Sequence, residues 1–92
     1  MCNYKYVKHA ALNVLENFSE NPGALPLNVT SCLQEWKVLT GDVMHEASSD
    51  FTEEYNAVVR ELIERQMIQE VHSGTSEFGT EIRYSGGNYK LA

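Results

Sequence analysis

The sequence predicts an α+β fold in which three helices are followed by a C-terminal antiparallel β-hairpin. Apolar residues recur at helical spacing over residues 4–18, and again from Phe51 to about Gln66. Two runs rich in strand-forming residues, 67–72 and 80–85, follow at once and flank a loop with a glycine at each end. A chain of 92 residues fits one domain, so residues 1–92 are assigned to a single domain.

The first helix is predicted from an apolar stripe that fits a 3.6-residue repeat. The stripe consists of Val7, Ala11, Val14, Leu15 and Phe18. Pro22 disfavours a helical conformation at Asn21 and Gly23 favours a turn, so the helix is expected to stop within residues 19–23. The next run, 24–29, contains Pro26, which cannot donate to a strand ladder. It is predicted to be at most an edge strand.

The second helix is predicted to begin at Ser31, because Ser31 and Gln34 have the spacing of a capping box. Its apolar stripe leads to Gly41, a residue type that favours a helix end, and gives a length of about nine residues. The stripe consists of Cys32, Leu33, Trp36 and Leu39. Cys32 is therefore expected in the core rather than in a metal or catalytic site.

Asp50 is predicted to be the N-cap of the third helix, with Glu53 at the third helical position. The helix follows a stretch (41–49) of mixed helix and loop signals. Its buried stripe is Phe51, Tyr55, Val58, Val59, Leu62 and Ile63. Runs 67–72 and 80–85 are expected to pair as a hairpin. Beyond Gly86 and Gly87, residues 88–91 are predicted to form a short strand with Tyr89 and Leu91 on one face.

The order helix, short strand, helix, helix, hairpin resembles the winged helix-turn-helix superfamily over nearly the whole chain. Residues 60–71 look like that family's junction between the third helix and the wing. The closing Tyr89, Lys90 and Leu91 resemble its last wing strand. The resemblance is one of pattern, without a diagnostic motif. The chain departs from the family in its long segment between the second and third helices and in the acidic start of the third helix.

Composition limits the function classes that fit the chain. Seven Lys and Arg against thirteen Asp and Glu give a net charge of −6, which repels a phosphate backbone at long range. No apolar run approaches the ~18 residues of a membrane span and no secretory signal is recognised, so a cytoplasmic protein without a membrane partner is expected. The histidines and cysteines lack metal-site spacing, and no phosphate loop or catalytic signature occurs. We expect no cofactor, no metal and no enzymatic activity.

The resemblance implies that a DNA-binding member would place the exposed face of the third helix in the major groove. Four of the six residues on this face are carboxylates, the full set being Glu53, Glu54, Ala57, Arg60, Glu61 and Glu64. Carboxylates supply none of the phosphate contacts that position such a helix. DNA binding, by a regulator that acts alone or as a dimer, therefore depends on the scattered bases Lys8, Lys37, Arg60 and Arg83.

The same acidic face favours a protein partner, which is the function we expect first. Glu53, Glu54, Glu61 and Glu64 would meet a basic partner, and Phe78, at the tip of the glycine-bounded loop, would contact that partner or a second copy of the chain. An acidic inhibitor that mimics DNA is a further alternative. The simplest interpretation is a solvated helix face, whose early acids favour the helix dipole. The i,i+4 neighbours Arg60 and Glu64, or Glu61 and Arg65, would pair and neutralise part of its charge.

Overall fold

Three helices and a two-stranded antiparallel sheet form the fold in the computed structural model, which describes residues 3–21, 23–71 and 87–92. The elements are α1 (Tyr4–Glu20), α2 (Val29–Thr40), α3 (Ser49–Glu64), β1 (Ile68–Glu70) and β2 (Tyr89–Leu91). This confirms the predicted α+β class. The predicted loop 73–79, the strand 80–85 and the candidate residues Phe78 and Arg83 lie outside the described residues.

Helix α1 begins at Tyr4, where the Asn3 side chain caps it by accepting a hydrogen bond from the backbone N–H of Lys5. It ends at Glu20, within the predicted range, because Asn21 is extended, as expected for the residue before a proline. Four of the five predicted stripe residues are buried, and Phe18 is half-buried. The buried face of α1 consists of Val7, Ala10, Ala11, Val14 and Leu15.

Helix α2 begins earlier than predicted and is 12 residues long. The capping box joins Asn28 to Ser31: the Asn28 side chain accepts from the Ser31 N–H at 2.8 Å, and Ser31 Oγ accepts from the Asn28 N–H at 2.9 Å. The predicted box of Ser31 with Gln34 was therefore wrong, because Ser31 occupies the third helical position rather than the cap. The end was predicted correctly, since Gly41 has a left-handed φ of 74°.

Helix α3 begins at Ser49, with Ser48 rather than Asp50 as its cap. Ser48 Oγ accepts from the Phe51 N–H at 3.1 Å, and Asp50 lies in the first turn, where its charge still favours the helix dipole. Residues 41–48 contain no helix, and the side chain of Asp42 accepts from the Met44 N–H at 2.8 Å. This stretch therefore forms a loop, as its glycine and serine residues indicated, and not the helical turn that its apolar residues indicated.

The C-terminus of α3 is a Schellman motif, which ends the helix at Glu64, before the predicted end near Gln66. The N–H of Gln66 bonds to the carbonyl of Ile63, and the N–H of Met67 to that of Leu62, both at 2.9 Å. Gln66 takes the left-handed position, with φ of 58°, that glycine usually fills. The motif redirects the chain from α3 into β1.

The sheet places β2 between β1 and Leu27. Strands β1 and β2 are antiparallel, with Ile68 opposite Leu91 and Glu70 opposite Tyr89. The N–H and C=O of Tyr89 bond to Leu27 at 2.8 and 2.9 Å, so the predicted edge strand 24–29 is reduced to a single bridge. In the described part of the chain, β2 is the partner of β1. The predicted partner, 80–85, lies outside it.

The core is formed by the facing stripes of the three helices and one side of the sheet. The ring centroids of Trp36 on α2 and Phe51 on α3 lie 5.4 Å apart in an edge-to-face arrangement. Cys32 is fully buried, as predicted. Tyr89 is buried, whereas Leu91, two residues further along β2, is partly exposed at the end of the sheet. The largest fully buried side chains include Tyr55, Phe51, Leu15, Leu27 and Leu62.

Candidate functional site

A polar cluster joins α1 to α3 around Glu61. The Tyr4 hydroxyl donates to Glu61 Oε1, and Lys8 Nζ and Arg65 Nε lie 2.6 and 3.2 Å from Glu61 Oε2. Tyr4 and Lys8 are one helical turn apart on α1, so their side chains reach the same carboxylate. We name these four residues the α1–α3 seam. Both oxygens of Glu61 are therefore occupied within the chain.

The α1–α3 seam shifts the pKa values of Glu61 and Tyr4. Hydrogen bonds from Lys8 and Tyr4 lower the pKa of Glu61 below its ordinary value. Burial, followed by the hydrogen bond to Glu61, raises the pKa of Tyr4 to about 12. At neutral pH the pair is a carboxylate and a neutral phenol. Such a pair suits structural hydrogen bonding rather than proton transfer, which favours a pKa near the working pH.

The four carboxylates assigned to the partner-binding face of α3 divide into two pairs. Glu61 belongs to the α1–α3 seam, and Glu54 lies near enough that its charge contributes to the raised pKa of Tyr4. Glu53 and Glu64 are exposed and lie on one side of α3, since a spacing of eleven residues returns to the same face. Neither carboxylate has a hydrogen bond or ion pair with another described residue. We name Glu53 and Glu64 the outer pair.

Three of the four bases proposed for DNA binding lie on three different helices, and Arg83 lies outside the described residues. Lys8 on α1 is bonded to Glu61, whereas Lys37 is half-buried in the last turn of α2. Arg60 is exposed on α3 and forms no salt bridge within the described residues. The expected pairing of Glu61 with Arg65 is present, and that of Arg60 with Glu64 is not found there.

A second surface, which the sequence did not predict, is a groove of about 550 Å³ between α1, residues 23–25 and α2. We name it the α1–α2 groove. Its lining includes the carboxylate of Glu35, which accepts a hydrogen bond from Asn13 Nδ2 at 3.1 Å. Val38, an apolar residue outside the predicted stripe of the second helix, is the one sequence signal that pointed to this side of α2.

Cys32 is the cysteine that could act as a nucleophile or metal ligand in the described part of the chain. Burial raises the pKa of the Cys32 thiol to about 12, and the nearby charge of Glu35 adds to the effect, so this thiol stays protonated. Among residues 3–21, 23–71 and 87–92, no group of three or more His, Cys, Asp or Glu is arranged to hold a metal ion. None of the helices described there has the length and hydropathy to cross a membrane.

Comparison with known proteins gives no significant match to a family model, a curated protein or a solved structure. The functional assignment therefore depends on the charge and geometry of three surfaces: the α1–α3 seam, the outer pair and the α1–α2 groove. The seam is satisfied within the chain. Of these three surfaces, the outer pair and the groove contain polar groups without a partner among the described residues.

Proposed function

We propose that this chain is a non-enzymatic, cytoplasmic protein-interaction or regulatory module of the winged-helix type, which binds a basic region of a partner protein through α3. The observation that carries the proposal is the outer pair. Glu53 and Glu64 point away from the core on one side of α3 and have no cation partner among the described residues. The nearby cations Lys8 and Arg65 are directed to Glu61 instead.

The charge of α3 supports a protein partner over DNA. The helix contains five acidic residues and one basic residue, Arg60. DNA affinity depends mainly on cations that replace condensed counterions at phosphates, and a helix of this composition repels the duplex. A basic protein surface, by contrast, gains from the complementary charge, especially in its rate of association.

The element order supports the winged-helix type. A short extended segment between the first two helices is what the resemblance implies, and Leu27 forms a bridge at that place. Strand β2 covers the residues that resemble the last wing strand, and β1 follows directly from α3 through the turn at Gln66. A docking surface on α3 would thus use the helix that DNA-binding members present to the major groove.

The proposal is tested with a variant that removes the charge of the outer pair, Glu53→Gln/Glu64→Gln. Its matched control is Glu16→Gln/Glu20→Gln, which removes two exposed carboxylates from α1. Proteins recovered on each immobilised chain from a native lysate are quantified by mass spectrometry. We expect basic proteins recovered by the wild type and the control to fall by about fivefold on the α3 variant. Equal recovery on all three chains would contradict the proposal.

Two further measurements separate the alternatives. Titration with random-sequence duplex DNA at low salt is expected to show no binding, and salt-sensitive binding that is lost in Arg60→Gln would instead support a DNA-binding regulator. Release of the recovered partner by added DNA would identify the acidic inhibitor that mimics DNA. Release by salt but not by DNA is the result expected for the interaction module.

A further inference from the structure

The α1–α2 groove lies apart from α3. Its walls come from the C-terminal half of α1, residues 23–25 and α2, and no residue of α3 lines it. Its volume of about 550 Å³ lies within the range of ~300–1,000 Å³ that is typical of ligand pockets. A ligand held there would meet different helices from a partner held by the outer pair.

Two aliphatic side chains on different walls give the groove its apolar surface. Leu25 is 60% exposed and Val38 is 78% exposed, and both line the groove. A single exposed aliphatic residue is ordinary in a soluble protein. Two that face one concave surface offer a site where an aliphatic side chain of a ligand can be removed from water.

Glu35 is the one ionisable side chain among the described residues that line the groove. Asn13 Nδ2 holds one oxygen, Oε2, at 3.1 Å, while Oε1 has no hydrogen bond to a described residue. Glu35 is half-buried, so a cation beside it is less screened than on an open surface. None of the described residues that line the groove is basic. A cationic ligand therefore fits, and a phosphate or carboxylate ligand does not.

Side-chain amides provide the remaining polar groups. Asn17 Oδ1 accepts from Asn21 Nδ2 at 2.8 Å, which leaves the Asn17 amide N–H groups as donors. Gln34, exposed on α2, offers both a donor and an acceptor. Amide side chains of this kind can bond to the N–H and C=O groups of an extended backbone, which are the groups a bound peptide must satisfy.

We infer that the α1–α2 groove binds an extended segment of a partner protein in which a Lys or Arg lies next to an aliphatic residue. The cation pairs with Glu35, and the aliphatic side chain packs against Leu25 and Val38. The backbone between them bonds to the amides of Asn17 and Gln34. This is a second docking surface, independent of the proposed function of α3.

The test uses the full chain and a positional-scanning library of acetylated, amidated hexapeptides. The library is selected on immobilised wild type, and the best peptides are titrated into the ¹⁵N-labelled chain by NMR. We expect enrichment of Lys or Arg beside Leu, Ile or Val, with shifts at the side-chain amides of Asn13, Asn17 and Gln34. Replacing the peptide's cation by Gln is expected to weaken binding about threefold, the size of a partly exposed ion pair.

Three variants decide where the selected peptides bind. Glu35→Gln removes the charge but keeps an acceptor for Asn13, and is expected to weaken binding about threefold. Val38→Ser removes apolar surface from an exposed position and is expected to weaken binding about fivefold. Glu46→Gln, a matched loss of one exposed charge in the loop between α2 and α3, outside the groove and the outer pair, should leave affinity unchanged. Both groove variants change exposed or half-buried atoms, and their circular dichroism should match that of the wild type.

The opposite results overturn the inference. Selected peptides without a cation, or affinities that Glu35→Gln and Val38→Ser leave unchanged, would remove the groove as a peptide site. Basic peptides that are lost on Glu64→Gln alone bind α3, which would support the proposed function and contradict this inference. Sedimentation that shows a wild-type dimer, abolished by Val38→Ser, would assign the groove to a second copy of the chain instead.

Discussion

The α1–α3 seam and the α1–α2 groove each contain a glutamate bonded to α1, but the two carboxylates differ in how completely they are satisfied. Glu61 receives a hydrogen bond on each oxygen, from Tyr4 and from the cation Lys8, and Arg65 forms a salt bridge with it. Glu35 receives one, from the neutral amide of Asn13. Tyr4 and Asn13 are only ~14 Å apart along the α1 axis. Donors on α1 therefore meet a carboxylate of α3 whose two oxygens are both bonded and, further along, a carboxylate of α2 with one oxygen open.

The difference separates a structural contact from a candidate binding surface. Lys8 and Arg65 neutralise the charge of Glu61, so this carboxylate would attract a cationic ligand only weakly. Glu61 instead holds α1 against α3. A carboxylate with a free oxygen beside exposed aliphatic groups keeps its charge for an incoming cation. Residue type alone does not distinguish the two. The number and charge of the donors do.

The hydrophobic core supports both the seam and the groove, so a core substitution should destabilise both regions. Leu15 is fully buried on α1, and Leu15→Ala is expected to lower the free energy of unfolding by about 3 kcal/mol through lost burial and a cavity. Because α1 supplies residues to both regions, the seam and the groove should unfold together. Urea denaturation followed at Trp36 fluorescence and by amide NMR measures both.

A matched change at an exposed site provides the control for the core substitution. Val38→Ala removes apolar atoms from a residue that points mainly to solvent, and its free energy of unfolding should stay within about 0.5 kcal/mol of the wild type. If amides around Glu35 lost protection in Leu15→Ala while those around Glu61 kept it, the two regions would belong to separate folding units. The shared-core account would then be wrong.

A substitution at Ser31 should affect the groove and leave the seam unchanged. Ser31 lines the groove and its Oγ accepts from the Asn28 N–H at 2.9 Å and donates to the Pro26 carbonyl at 2.8 Å. Ser31→Ala should lower the free energy of unfolding by about 1–2 kcal/mol, because the half-buried Asn28 N–H and Pro26 carbonyl lose their side-chain partner. The NMR shifts should change near Asn28 and Glu35 and stay unchanged at Glu61. Equal changes at both glutamates would remove the distinction between the regions.

The helical stripes of the sequence predicted the three helices and most of the core, since an apolar face and its burial are linked by the helical repeat. The caps were harder to predict. Both α2 and α3 have two residues of a suitable type for the N-cap: Asn28 and Ser31 for α2, and Ser48 and Asp50 for α3. The position and direction of the preceding segment decide which residue caps the helix. In the seam, the local pair of Glu61 and Arg65 was predicted. Tyr4 and Lys8 reach Glu61 only through the packing of α1 on α3, which no local pattern encodes.

A smaller and opposite effect is expected at the end of α3 beside the seam. Gln66 holds a left-handed conformation, which costs a residue with a Cβ roughly 1 kcal/mol. Gln66→Gly should raise the free energy of unfolding by about 0.5 kcal/mol, since the greater freedom of glycine in the unfolded chain offsets part of the gain. Thermal denaturation measures the change. Gly41→Ala, at the left-handed end of α2, is the reverse control and should destabilise the chain.

The smallest effect concerns the acid stability that the seam provides. The pKa of Glu61 in the folded chain is lowered from its ordinary value of 4.5. A lowered folded-state pKa means that the unfolded chain binds the proton more readily. The stabilisation is therefore present above the ordinary pKa and is lost as the pH falls through the folded-state value. Between pH 7 and pH 3, the wild type should lose more stability than Glu61→Gln, in which this carboxylate is absent.

Tyr4→Phe tests whether the seam, rather than the net charge, causes this pH dependence. The substitution removes one donor to Glu61 and leaves the formal charge of the chain at neutral pH unchanged, so its acid-induced loss of stability should lie between those of the wild type and Glu61→Gln. Glu64→Gln removes a carboxylate without a described partner and serves as the charge control. If Glu64→Gln changed the loss of stability between pH 7 and pH 3 as much as Glu61→Gln, general charge repulsion would explain the pH dependence. The hydrogen bonds and salt bridges of Glu61 would then have no measurable effect on stability.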